Sequence, residues 1–406
     1  VIDYYDNEVD NYGQDHYQLH LNQILNERFK MNVSLHYTKG SGYYEQYRQD
    51  AYMPEYGIMP VIMGNDTINY SDLVRQKWLD NDFYGAIFNL EYTNTFMTSI
   101  LGGGISQYDG NHFGEVIWAR YASQTQPGQQ YYNSASSKSD ANIYWKNLID
   151  VNERITAFVD VQVRAVNYNA TGADDDVGQF SFEQNNVFFN PKAGVTYRVN
   201  EKDKVFVSYA VGHKEPNRTD LIYADPNDLP RPEKLQDFEF GYEYAGEKLA
   251  LKGNAFYMFY TDQLVLTGQL DNVGYPIRKN IGKSYRIGLE LAVSWQPLKW
   301  LKWSPNVAYI QSQNLDYLEE SANGDVKSLG STAIAYSPNT VLSSILEFYP
   351  VKGVTLGVFS QYVSRQYLNN SQVDRLSLDP YFLNSLRAAY DFTPSWIGKI
   401  RLYASV

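Results

Sequence analysis

The chain has 406 residues, with 46 acidic against 34 basic side chains, 37 tyrosines and no cysteine. The net charge of −12 argues against nucleic acid as a partner, because phosphate binding needs a basic patch. The absence of cysteine excludes disulfides and thiolate metal sites. No stretch approaches the ~18–20 consecutive apolar residues of a membrane helix, yet a membrane barrel stays open, since half the residues of its strands are polar.

Taken in chain order, the opening "VIDYYDNEVD" shows no signal-peptide pattern, and the closing "KIRLYASV" reads as a strand. The expectation is a part of a longer protein. In "QDHYQLHLN" a strand puts His16 and His20 on one face about 13 Å apart, too far to share an ion. No metal site and no cofactor are expected. "RITAFVDVQVRAV" sets Ile155, Ala157, Val159, Val161 and Val163 against Phe158, Asp160, Gln162 and Arg164. "TGADDDVG" bunches Asp174, Asp175 and Asp176, which reads as a solvated loop tip rather than a calcium loop. "KVFVSYAV", "LALKGNAFYMFY" and "YFLNSLRAAYDF" alternate in the same way. The clearest case is "SYRIGLELAVSWQPLKWLKW", where Tyr285, Ile287, Leu289, Leu291, Val293 and Trp295 share one face. Period two over so many segments argues strands, roughly sixteen of them.

The connections alternate as well. "NEKD", "AGEK", "PLKW" and "PVKG" are tight turns, whereas residues 39–69, 108–140, 169–187 and several later stretches read as long loops. Short turns at one end and long loops at the other describe an outer-membrane barrel. From Tyr285 to Trp295 a strand covers about 33 Å at ~3.3 Å per residue. Tilted by ~40°, that projects to about 25 Å, the height of a lipid-facing band between aromatic girdles. Ile287, Leu289, Leu291, Val159, Val161 and Val163 are therefore expected to face lipid. Asp160, Arg164, Arg286, Glu290 and Arg387 are expected to face the lumen or a plug.

No catalytic triad, nucleotide loop or zinc motif is present. The candidate ligand contacts are aromatic and basic residues assigned to the extracellular loops: Tyr43, Tyr44, His112, Trp118, Arg120, Tyr121, His213, Arg218, Tyr223, Tyr275 and Arg278. Rings and guanidinium groups at a barrel mouth suit polar aromatic or anionic ligands. Trp118, Arg120 and Tyr121 form the densest such group, with Arg120 pairing to Glu115 as the structural alternative.

"RPEKLQDFEFGYEY" (residues 231–244) resembles the Pro-Glu-Lys…Glu-x-Gly segment of TonB-dependent outer-membrane receptors. "KGNAFYMFYTDQLVL", "NIGKSYRIGLELAVSWQPLKWL", "YVSRQYLNN" and "LDPYFLNSLRAAYDF" follow in that family's order. "YDNEVDNYGQDHYQLHLN" and "LHYTKGSGYYEQY" look like members from Bacteroidetes-type bacteria. The resemblance covers nearly the whole chain. It implies an all-β, antiparallel transmembrane barrel of about 22 strands in the family, closed by an N-terminal plug. Residues 1–406 would then be part of a single barrel domain, without plug, first strands or last strand. The chain would begin near the family's sixth strand and stop within its twenty-first. The implied function is active import of a scarce nutrient, such as an iron-siderophore, haem or cobalamin. The partners implied are the TonB complex of the inner membrane, the receptor's own plug, outer-membrane lipid and the small ligand. Where many members read Phe-Arg-Ala-Pro, this chain has "GHKEP", whose His213 makes haem conceivable. Two alternatives stand beside this one: an outer-membrane enzyme such as a protease or phospholipase, and a passive porin-like channel.

Overall fold

Four of the tight turns use one device. Asn26 Oδ1 accepts the backbone N–H groups of Arg28 and Phe29. Asn94 does the same for Phe96 and Met97, Asn152 for Arg154 and Ile155, and Asn200 for Lys202 and Asp203. A short amide side chain thus closes each turn with its own backbone, as asparagine does best. The next strand starts three residues after each asparagine.

The computed structural model describes residues 5, 7–271, 274–320 and 326–406. Part of the opening segment and the tips of two expected loops, 272–273 and 321–325, lie outside these. The main sheet has 17 strands. They are β1 (Asp10–Ile24), β2 (Phe29–Tyr52), β3 (Tyr70–Thr93), β4 (Met97–Ala119), β5 (Gln129–Asn152) and β6 (Ile155–Asp174). Next come β7 (Gly178–Arg198), β8 (Asp203–Lys214), β9 (Glu233–Ala245), β10 (Leu249–Leu270), β11 (Pro276–Leu298) and β12 (Leu301–Glu320). Last are β13 (Val326–Ala333), β14 (Thr340–Phe348), β15 (Val354–Val363), β16 (Tyr381–Phe392) and β17 (Ile400–Ser405).

All pairings are antiparallel, and almost all join neighbours in sequence. One strand position is broken. β12 pairs with β13 through residues 313–320 and with β14 through residues 301–309. The 17 strands therefore fill 16 positions, 17 − 1, in line with the alternation counted in the sequence. Among the described residues β1 pairs only with β2 and β17 only with β16. The two end strands do not bond to each other. No described helix is long and apolar enough to cross a membrane.

Directly paired residues share a face, so the register carries the apolar row of β11 around the sheet. Ile287 opposes Tyr257, Tyr257 opposes Phe238, and Phe238 opposes Tyr209. Leu289 is 62 % exposed and Val163 45 %, with Ile287, Leu291 and Val159 likewise exposed and Val161 half-buried. Apolar side chains this open, on one face of a single sheet, face lipid. Among the described residues no second sheet covers them: the other two sheets are small two-stranded hairpins at 61–68 and 366–378. Arg286, Gly288 and Glu290 lie on the inner face. Among the described residues there is no central apolar core. Three small buried clusters, around Leu73, Phe182 and Ile281, hold the upper parts of the wall instead.

The structure corrects the loop assignments. Most of 39–52, 108–119, 129–140, 169–174 and 178–187 is regular strand. β2 to β5 run 23 or 24 residues each, about 80 Å at ~3.3 Å per residue. A crossing takes only about 9–11 residues, so these strands rise far above the lipid band. Up there water wets both faces and the strands need not alternate, so period two fades and the sequence reads as loop. Tyr43, Tyr44, His112, Trp118, His213 and Arg278 accordingly sit on strands, not in loops. Arg218 lies in a short helix, Arg218–Ile222. Arg120, Tyr121, Tyr223 and Tyr275 remain in connections.

Candidate ligand-binding chamber

The upper half of β3 places Arg75 and Lys77 two residues apart, hence on one face. Both face inward. Lys77 opposes Tyr44 of β2 on one side and Gly114 of β4 on the other, and Gly114 opposes Tyr132 of β5. The lysine Nζ lies 5.9 Å from the centre of the Tyr44 ring. Tyr56, Tyr131 and Tyr132 close the space, with ring centroids 4.9 and 5.0 Å apart in succession. Gly114 is needed here: a Cβ at this position would run into the rings of both Tyr131 and Tyr132.

Into this chamber comes a carboxylate from far away in the chain. The β6–β7 hairpin tip bends inward across β5 and β4 and delivers Asp175. Its Oδ2 lies 3.1 Å from Arg75 Nη1 and 2.5 Å from Lys77 Nζ. The three side chains are only 9, 6 and 10 % exposed for Arg75, Lys77 and Asp175. The neighbouring aspartates are taken elsewhere. Asp174 lies 3.8 Å from Arg218, and Asp176 accepts from the Tyr223 hydroxyl. The run read as a solvated tip is thus a clasp whose carboxylates point apart. Among the described residues no group of acids and histidines is arranged to hold a metal ion.

A second network lies beside the first. Glu215 receives Arg164 through two bonds of 2.9 Å each and Lys138 at 3.0 Å. Arg164 also donates to Asp140, at 2.9 Å through Nε. Burial pushes the Glu215 carboxyl up, but Arg164, its own backbone N–H and Lys138 outweigh that and hold it at about 2. Lys138 sits over the Tyr168 ring, Arg164 over Phe188 and Arg218 over Phe180. Asn217 caps the short helix, and Asp220, 2 % exposed, closes the capping box by accepting the Asn217 backbone N–H. Burial raises its carboxyl pKa despite the amides of Asn217 and Arg278. The loop after β8 is thereby pinned to the inner wall.

Of the candidates named from sequence, Tyr44, Arg218 and Tyr223 come together around the Asp174–Asp176 clasp. His112 is half-buried beside it, its carbonyl 3.5 Å from the Ser134 hydroxyl that also accepts from Arg218. His213 turns away from this centre. Where β7 and β8 stop pairing it stacks on Phe188 and bonds Asn190 at 2.8 Å. Arg278 meets Asp220 at 3.9 Å. Tyr43 instead packs at a tilt against Trp78, which stacks on Phe113. Trp118 is exposed, Tyr121 packs at the edge of the Leu73 cluster and Tyr275 is exposed. Arg120 pairs with Asp72 at 3.2 Å and not with Glu115, which accepts from Gln130.

Among the lumen candidates Arg164 is networked, Arg286 lies over Tyr260 and Arg387 over Phe359, while Asp160 is half-buried and Glu290 exposed. His16 and His20 each bond a hydroxyl of β2, Thr38 and Ser34, and share nothing. Sequence reasoning missed Arg75, Lys77, Tyr131, Tyr132, Lys138 and Glu215 as a group. The spacing of Arg75 and Lys77 in "VRQKW" was the one local signal available.

An open-faced sheet with lipid outside and a charge-lined interior defines an outer-membrane receptor barrel. The chain belongs to the TonB-dependent receptor β-barrel family: the family profile, "TonB dependent receptor-like, beta-barrel", matches residues 2–406. It is a bacterial outer-membrane family of receptors and transporters, not of enzymes. Solved structures agree. The closed form of the ferric-catecholate import receptor Fiu from E. coli K12 matches with a TM-score of 0.63 at 13 % identity, over 95 % of this chain and 59 % of that one. The unliganded ferric citrate transporter FecA matches at 0.66 and 14 %, over 98 % and 57 %. The copper transporter OprC matches at 0.69 and 12 %, over 93 % and 57 %. At these identities the likeness is one of fold. The chain spans under three fifths of the length of each of these three. No curated protein sequence matches it.

Proposed function

We infer that this barrel is the wall and extracellular mouth of a receptor that binds a scarce, anionic nutrient complex and imports it actively. An iron-siderophore fits best, and haem or cobalamin are the other classes. Energy would come from the TonB complex, acting on a plug in the lumen. The observation that carries the reading is the inward chamber of Arg75 and Lys77, walled by Tyr44, Tyr56, Tyr131 and Tyr132. Two buried cations among phenol rings suit a ligand that is both aromatic and anionic. Fiu and FecA, by their descriptions, take ferric catecholate and ferric citrate.

Growth tests the reading. The full-length receptor is expressed in a host stripped of its own receptors, under iron limitation, and offered ferric citrate, ferric catecholates or haem. A cobalamin-dependent host provides the remaining arm. One of these should restore growth, and only when TonB is present. Growth on none of them, or growth without TonB, overturns the reading.

A further inference from the structure

The Arg75–Lys77 pair is a built anion site, and in this structure its occupant is part of the protein. Among the described residues Asp175 is the one carboxylate in ion-pair contact with both of these buried cations. The Tyr131 hydroxyl is buried beside it, with Arg75 at its edge but no hydrogen bond of good geometry among the described residues. A buried hydroxyl so poorly satisfied is costly, so the chamber is not optimised around Asp175. It offers a second cation and a phenol that a larger anionic group could use.

The carrier of Asp175 is also suited to move. It is a hairpin tip of a few residues, turned by Gly178 at φ +74°, and it reaches its site across two intervening strands. Its flanks are tied to the following loop, through Asp176 to Tyr223 and Asp174 to Arg218. Withdrawing Asp175 therefore pulls on both segments together.

We propose that Asp175 is an internal stand-in for the ligand's anionic group, and that the β6–β7 hairpin is a latch. A carboxylate, catecholate or similar oxyanion takes the Arg75–Lys77 site, Asp175 leaves, and the hairpin swings with the Arg218–Tyr223 segment. The identity of the ligand rests on the import function proposed above. The anion site and the latch do not, so they are tested with small probes.

The experiment uses full-length receptor in detergent. Asp175→Ala opens a hole the size of a carboxylate next to two unpaired cations. Acetate should raise the thermal midpoint of this variant saturably while leaving the wild type unchanged. Should Asp175→Ala fail to fold, Asp175→Asn supplies the second measurement. These 406 residues hold no cysteine, so once any cysteine elsewhere in the full-length receptor is replaced by serine, a spin label at Val177→Cys reports the hairpin alone. The label should be immobile in the otherwise wild-type protein and mobile when Asp175→Asn or Lys77→Gln is added, with no nutrient present. Acetate acting equally on wild type and variant, or a label whose mobility is the same in all three proteins, overturns the latch. Failure of the growth test with these results intact would overturn only the import reading.

Discussion

The two sides of the wall are built to different heights. β14, β15 and β16 have 9, 10 and 12 residues, little more than a bilayer crossing needs. β2 to β5 have 23 or 24, and less than half of each lies in the lipid band. On the short side the sequence answers to lipid almost throughout: Leu342, Leu346, Leu356, Val358, Leu386 and Ala388 repeat along the outward face. On the tall side the upper half answers to buried charge. Arg75, Lys77, Lys138 and Arg164 point into the interior and are held by Asp175, Glu215 and Asp140. The difference teaches where each solvent acts. Lipid selects by alternation, one residue at a time. A wet interior selects by pairing, across residues distant in sequence.

The contrast can be broken most directly at Asp175, which holds both Arg75 and Lys77. Removing one partner of a buried pair leaves an uncompensated charge and typically costs about 3–5 kcal/mol. Asp175→Ala in the full-length receptor should therefore be the most damaging single change, read by denaturant titration or by the temperature at which the folded gel band is lost. A cost below about 1 kcal/mol would mean that the tall side is not held by its charges.

Leu289→Arg makes the matching test in the lipid band. An arginine facing lipid near the midplane should cost about 2–4 kcal/mol. A neutral result would place Leu289 outside the bilayer and end the assignment of faces.

Acid should separate the two regions without mutation. The Glu215 carboxyl is held at about 2, below the ordinary value near 4.3. Its contribution is therefore fully present above the ordinary carboxylate range and is lost as pH falls towards 2. The loop after β8 should become protease-sensitive over that interval while the lipid band stays folded. Glu215→Gln should be weakened already at neutral pH and show less of that acid step. An unchanged acid step in the variant would assign the transition to other carboxylates.

The smallest effect is expected at the outer rim. Arg120 is 61 % exposed and its partner Asp72 lies at 3.2 Å, so Arg120→Ala should change stability by no more than about 0.5 kcal/mol. If the import ligand reaches only the inner chamber, binding should be equally unmoved. A tenfold loss of affinity in this variant would instead extend the site outward to Trp118 and Arg120.

The sequence alone determined the strands of the lipid band, their faces, the tight turns and the family. Those features are local, because a strand with lipid on one side and water on the other must alternate. Asn26, Asn94, Asn152 and Asn200 mark their turns within three residues, for the same reason. The tertiary structure alone decided the chamber. Nothing near "TGADDDVG" tells that Asp175 crosses two strands to meet Arg75, 100 residues away. An isolated aspartate run is equally at home in water. Only the inward bend of the hairpin removes that water and makes the two cations of β3 its partners.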